Sequence, residues 1–171
     1  MNRIHILALS SLMGAGIAMG QHADMDKCPN MDKCPMMQDH SMQKRGDQAM
    51  GFSHDKTTHH FLLSKDGGSI EVEANDASDA ASRDQIRQHL SHIAKMFAEG
   101  NFKTPMFIHD QTPPGAEIMQ RHKGELQYTF EQTERGGRVR INTKNQDARS
   151  AIHDFLRFQI SEHKTGDRTE I

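Results

Sequence analysis

Tryptophan is absent from this chain, tyrosine occurs once, and only two cysteines, Cys28 and Cys34, are found in 171 residues. Two cysteines close at most one disulfide, so no disulfide framework holds the fold. Basic charge is not in excess either. The formal net charge is −2 with histidine neutral, which leaves no positive field to attract nucleic acid. Beyond the first twenty residues no run is long and apolar enough for a membrane helix. A Gly-x-Ser-x-Gly elbow, a His-Glu-x-x-His pair and a phosphate-cradling glycine loop are all missing, so no catalytic signature is present. What the chain does have is twelve His and twelve Met, and they are unevenly spread.

The first residues read as a secretory signal peptide over 1–20. Arg3 supplies a positive start, Ile4 to Met13 an apolar stretch, and Ala18 and Gly20 the small residues before a cleavage point at Gln21. The apolar stretch is too short to span a bilayer and is interrupted by His5 and Ser10. A lipoprotein would need Cys where Gln21 stands. The expected location is therefore periplasmic or secreted, with no membrane span after cleavage.

Residues 21–50 contain no Ile, Leu, Val, Phe, Tyr or Trp. Such a segment cannot bury enough apolar area to offset the entropy of ordering, and a disordered arm is expected over 21–55. The same thirty residues hold ten soft or borderline metal donors: Met25, Met31, Met36, Met37, Met42, Met50, Cys28, Cys34, His22 and His40. Met25-Asp26-Lys27-Cys28-Pro29 is repeated as Met31-Asp32-Lys33-Cys34-Pro35.

Over 56–171 the texture becomes that of an α+β domain. His59 to Leu63 reads as a strand, Lys65-Asp66-Gly67-Gly68 as a glycine turn, and Ile70, Val72 and Ala74 as the inward side of a second strand. Asn75, Asp76 or Ser78 is placed to cap a helix whose face is Ile86, Leu90, Ile93, Ala94 and Phe97, ended by Gly100. The plan recurs. Leu126 to Glu131 is a strand, Glu134-Arg135-Gly136-Gly137 a turn, Val139 and Ile141 an inward pair. Asn145 or Asp147 caps a helix with Ile152, Phe155, Leu156 and Ile160 on one face, stopped by Gly166. Phe61 precedes Gly67-Gly68 by the spacing at which Phe130 precedes Gly136-Gly137. Duplicated ββα units, about 57–100 and 125–166, predict a four-stranded antiparallel sheet with two helices on one face. Between the halves, Met106-Phe107-Ile108 suits a short extra strand and Ala116–Gln120 a turn of helix. Arg135, Arg138 and Arg140 suit a solvated sheet edge.

The run Phe52-Ser53-His54-Asp55-Lys56-Thr57-Thr58-His59-His60-Phe61, with Gly67-Gly68-Ser69-Ile70-Glu71-Val72 and Phe155-Leu156-Arg157-Phe158-Gln159-Ile160, resembles a group of uncharacterised secreted bacterial proteins. The resemblance spans about Met50 to Asp167 and implies no activity. Chains similar to it sometimes carry the label aspartate carbamoyltransferase. That enzyme is roughly twice as long and uses a Ser-Thr-Arg-Thr carbamoyl-phosphate loop, a run this sequence lacks.

Thioether and thiolate sulfurs suit Cu(I), and imidazole suits Cu, Zn and Ni. The arm is therefore expected to bind copper, with Cys28 and Cys34 as the strongest ligands. The Cys28-x5-Cys34 spacing is not that of a zinc finger. A small disulfide loop, an oxidant sink of exposed Met, or a plain spacer are the alternative readings of the arm. In the domain, His89, His92 and Met96 share one flank of the first helix and could add ligands. His59 and His60 point to opposite faces of their strand. His109-Asp110, near Pro113-Pro114, is the place an enzyme would use, a weaker alternative. The leading function is a periplasmic soft-metal, chiefly copper, binding or tolerance protein. The alternative is a secreted binding module whose arm is only a tether. The open sheet face offers a surface for a homodimer or a partner protein.

N-terminal sequencing of exported protein should begin at Gln21. A sequence still starting at Met1 would remove the signal-peptide reading.

Overall fold

The computed structural model describes residues 35–171, with side chains placed from His40 onward. The signal peptide and the arm donors His22, Met25, Cys28, Met31 and Cys34 lie outside the described residues. Elements follow in the order α1 (Pro35–Met50), β1 (Thr57–Ser64), β2 (Gly67–Ala74), α2 (Ala80–Ala98), α3 (Lys103–His109), α4 (Ala116–Arg121), β3 (Leu126–Gln132), β4 (Gly136–Thr143) and α5 (Gln146–His163). Among the described residues no helix is long and apolar enough to cross a membrane.

The strands form one antiparallel sheet in the order β1-β2-β4-β3. Each hairpin pairs within itself, and the two hairpins join through β2 and β4. In that central pairing Ile70 stands opposite Val139, Gly67 opposite Asn142 and Glu73 opposite Gly136. Ile70 and Val139 occupy the same place in their two units, three residues after the first glycine of each Gly-Gly pair. The duplication therefore meets itself about a local two-fold axis at this pair. Both helices cover one face, and they cross over. α2 follows the first hairpin but packs chiefly on β3 and β4, and α5 follows the second but packs chiefly on β1 and β2.

Helix ends are set by local chemistry. Asp79, rather than the earlier Asn75, Asp76 or Ser78, caps α2. Its Oδ1 accepts from Ser82 N at 3.0 Å, and its Oδ2 accepts from the Ser82 hydroxyl at 2.8 Å. Asn145 Oδ1 accepts from Ala148 N at 3.0 Å at the start of α5. Ile86, Leu90, Ile93, Ala94 and Phe97 of α2 are buried against Ile152, Phe155, Leu156 and Ile160 of α5 and the inward strand residues Phe61, Ile70, Val72, Val139 and Ile141.

The structure differs from expectation at four further places. The glycine pairs are not turn residues. The first turn is Lys65-Asp66, and Gly67-Gly68 and Gly136-Gly137 begin β2 and β4. They are required by crowding. A Cβ on Gly67 would fall 2.0 Å from Ile141 O, and one on Gly136 would fall 2.1 Å from Val72 O. Met106-Phe107-Ile108 lies in helix α3, not a strand, because a short apolar run has no period long enough to decide between the two.

Arg138 and Arg140 are not on a sheet edge, since β4 is an inner strand, and Arg135 lies in the connection just before it. They project to the open face and pair with acids. Arg138 donates to Glu71 Oε2 from Nε at 2.9 Å and Nη2 at 2.7 Å, Arg140 Nε donates to Glu131 at 2.8 Å, and Arg135 pairs with Glu73. Such solvent-facing pairs contribute ~0.2–1 kcal/mol each.

Finally, the arm expected to be unstructured through residue 55 is helical from Pro35 to Met50 and continues into a core residue, Phe52, that is 5% exposed. Tertiary contact replaces the missing aliphatics. Gly46 is buried, α1 packs on α3, and Arg45 Nε donates at 2.8 Å to Ile108 O, one of the last-turn carbonyls of α3. Asp47 Oδ1 accepts from His54 N at 2.8 Å beyond the helix end.

Gly136→Ala should destabilise the fold by ~1–3 kcal/mol through overpacking against Val72 O. Gly124→Ala, where a Cβ meets nothing within 4 Å, should change stability by no more than ~0.5 kcal/mol. Denaturant midpoints of the two variants check this; equal shifts would contradict it.

Candidate functional site

One end of the core holds polar side chains where the other end holds apolar ones. Aligning Gly67-Gly68 with Gly136-Gly137 makes His59 of β1 the counterpart of Tyr128 of β3. Aligning the caps Asp79 and Asn145 makes Phe97 the counterpart of His163, and Ile93 the counterpart of Gln159. In one half Phe97 and Tyr128 meet edge to face with ring centres 6.0 Å apart. In the other, the equivalent pair is two imidazoles, His163 and His59, stacked at 5.7 Å and 12°. The backbone is duplicated, but at these three positions the imidazoles and the carboxamide lie in the half covered by α5.

These side chains border a cavity of about 70 Å³ between the sheet, α2, α5 and α3. His59, His89, His109, His163, Gln159 and Met50 are on its wall, with Phe61, Ile70, Val72, Leu90, Phe97 and Phe155 as apolar neighbours. Each histidine comes from a different element. His59 is inward because it shares the face of Phe61 and Val72 in register. His89 lies beside the apolar face of α2 and meets the Phe52 ring edge-on at 5.7 Å. His109 ends α3, and the left-handed Asp110 that follows (φ 53°) turns the chain away. His109 and His163 rings meet edge to face at 5.1 Å.

Burial favours the neutral form of His59, His89 and His109. His59 is pushed down to about 4, by burial first and then by His89, His60 and His54. His89 is also pushed down to about 4, by burial and then by His92. His109 is lowered because burial outweighs the raising effects of Gln159 and Glu162. A neutral imidazole keeps one nitrogen lone pair, the form that accepts a proton, a hydrogen bond or a metal ion.

The other expected donors are dispersed. His92 is exposed on the outer flank of α2, in a groove shared with His89 and Met50. Met96 is half-buried and its sulfur accepts from the Thr104 hydroxyl at 3.9 Å, toward α3 rather than toward His92. His40 is exposed on α1, and Met36 and Met37 lie in its first turn. His153 Nε2 lies 2.9 Å from Ser64 O and 3.1 Å from Gly67 O, tying α5 to the first hairpin. His60 faces outward, 2.9 Å from Asp167. Among the described residues no three His, Cys, Asp or Glu side chains are gathered as a metal site. His109 and Asp110 do not form a dyad, since His109 is engaged by Gln159 at 3.0 Å and Asp110 is exposed.

Sequence reasoning missed the convergence of His59, His109, His163 and Gln159. Its one available signal was the exchange of aromatic and aliphatic positions for His and Gln between the two repeats. No family model, curated protein or solved structure matches the chain.

Unfolded, His59 and His89 titrate near 6.5; folded, near 4. The unfolded chain therefore binds more protons between these values, so stability is full above pH 6.5 and falls as pH drops toward 4. Thermal midpoints should be level from pH 7 to 8 and decline steadily below 6.5. His59→Gln and His89→Gln should each flatten the decline. A midpoint constant down to pH 4.5 would contradict it.

Proposed function

We propose that the protein is an exported soft-metal binding or tolerance protein, with copper as its ion. The observation that carries this reading is the concentration of ten sulfur and imidazole donors in residues 21–50, five of which (Met36, Met37, His40, Met42 and Met50) lie on α1, with Met50 also bordering the histidine-lined cavity. Thiolates of Cys28 and Cys34 bind first, and Met25, Met31, Met36 and Met37 follow, because soft donors select Cu(I). Cu(I) needs no closed set of four Cys or His, which Zn(II) prefers and this spacing does not offer. Thiolates form on binding, so affinity falls with pH while the thioether share persists. A Cys28–Cys34 disulfide removes most of the affinity. The periplasmic or secreted location and the likeness to secreted bacterial proteins belong to the same proposal.

A second reading, a secreted binding module, is favoured by one observation. The cavity walls are apolar apart from the imidazoles, Thr104 and Gln159, which suits a very small neutral ligand.

Competition titration of the reduced mature protein against a Cu(I) chelator separates the two. Replacing Cys28 and Cys34 by Ser should lower Cu(I) affinity at least tenfold, on the order of 1.4 kcal/mol. Equal affinity of the parent and the double variant would remove the arm as the copper site.

A further inference from the structure

Four buried side-chain atoms among the described residues lack a hydrogen-bond partner, and two of them, His109 Nδ1 and Gln159 Nε2, belong to neighbouring side chains. The His109 side chain is 1% exposed. Its Nε2 lies 3.0 Å from Gln159 Oε1. A carboxamide oxygen only accepts, so Nε2 carries the proton and Nδ1 presents a bare lone pair. A buried acceptor left idle is destabilising, because it has given up water without gaining a partner. The nearest acid is Glu162, whose Oε2 is 3.8 Å from Nδ1, too far for a hydrogen bond. It is the separation expected of two donors sharing one ion, because ligands bound at ~2.0–2.2 Å lie roughly 3–4 Å apart.

Three features give this pair the character of a metal anchor. An imidazole whose far nitrogen donates to a fixed side-chain oxygen is the arrangement that orients metal-binding histidine. Glu162 is on the same helix as Gln159, less than one turn on, so α5 holds both the ligand and the orienting group. The pair opens into a cleft of about 340 Å³ whose other wall is α1, with Ser41, Met42 and Arg45, and Asp110 at its side. Arg45 opposes a cation there, but its Nε is committed to Ile108 O.

We propose that His109 Nδ1 and the Glu162 carboxylate anchor a second metal site beneath α1, for a borderline divalent ion of the Cu(II) or Zn(II) kind. Nitrogen and oxygen donors suit such ions, whereas the sulfurs of the arm suit Cu(I). The two sites therefore differ in softness. Water fills the remaining positions. The site is independent of the Cu(I) reading: neither His109 nor Glu162 is among the donors of residues 21–50, and it takes its divalent ion from solution.

The test uses the full mature chain carrying Cys28→Ser and Cys34→Ser, titrated with Zn(II) and followed by imidazole nitrogen NMR. Nδ1 of His109 should shift on binding while Nε2 keeps its proton. Glu162→Gln, at a partly exposed position, should weaken this response at least tenfold. Gln159→Leu, which touches no metal, should weaken it by roughly 10–100-fold. His122→Gln, which removes a surface partner of Glu125, should leave it unchanged. A His109 signal that stays fixed through saturating Zn(II), or a Glu162→Gln variant with the parent's affinity, overturns the proposal. Because the arm thiols are absent in every arm of this test, its failure is separate from failure of the Cu(I) titration.

Discussion

The antiparallel pairing of β2 with β4 is the constraint on which the rest depends. It joins the two hairpins at Ile70 and Val139, equivalent residues of the two units. At the first residues of β2 and β4 a Cβ would strike the neighbouring strand's carbonyl, and at the second it would strike the side chains of Leu156 and Phe130, so a Gly-Gly pair occurs twice. The crossing helices follow from it. Because β2 and β4 are central, each helix returns over the other unit's hairpin, and neither ββα unit buries its own apolar face alone. The core is consequently shared, and damage to one half is felt by both.

A shared core of this kind leaves two equivalent ends. One is sealed by Phe97 and Tyr128, and burial raises the Tyr128 phenol well above its ordinary range. At the other end the same positions carry His163 and His59, with Gln159 replacing an isoleucine. Exchanging aromatic for imidazole there gives up apolar burial and introduces groups that must stay neutral to remain inside. The fold tolerates this because rings stack on rings and because α1, α3 and Phe52 close the opening. The Tyr128 hydroxyl is buried without a partner at one end, but imidazoles and a carboxamide gather at the other, which is the behaviour of a site and not of a packing solution.

The tail and the helix before the domain both serve this end. Asp167 folds back onto edge strand β1, accepting from Phe61 N at 2.9 Å, and lies 2.9 Å from His60 Nδ1. Burial raises its carboxyl, but the bonds from Thr165, Phe61 and His60 outweigh this and hold it below the ordinary carboxylate range. One outward N–H of an edge that would otherwise invite pairing is thereby covered. On the opposite face of the sheet the Glu71–Arg138, Glu73–Arg135 and Glu131–Arg140 pairs make a charged surface, so an association there would have to desolvate ion pairs.

Local periodicity was sufficient for the duplicated plan. Alternation in Ile70–Val72–Ala74 and Val139–Ile141, and the helical stripes of Ile86–Leu90–Ile93–Phe97 and Ile152–Phe155–Leu156–Ile160, determine strands, helices and buried faces from the sequence alone. So do the Asn145 cap of α5 and the α+β class, whereas the α2 cap, Asp79, lies just past the candidates Asn75, Asp76 and Ser78. The concentration of sulfur donors ahead of the domain is likewise a property of sequence. Tertiary structure decided what depends on partners distant in the chain. Whether Gly67 belongs to a turn or a strand depends on the approach of Ile141; whether residues 35–50 order depends on a seat offered by α3, some sixty residues later. The histidine end is the clearest case. His59, His89, His109 and His163 carry no shared spacing, and only the crossing of α2 and α5 over a sheet joined at β2 and β4 brings them to one cavity. Side-chain period is a local quantity, whereas convergence of side chains from four elements is set by long-range packing.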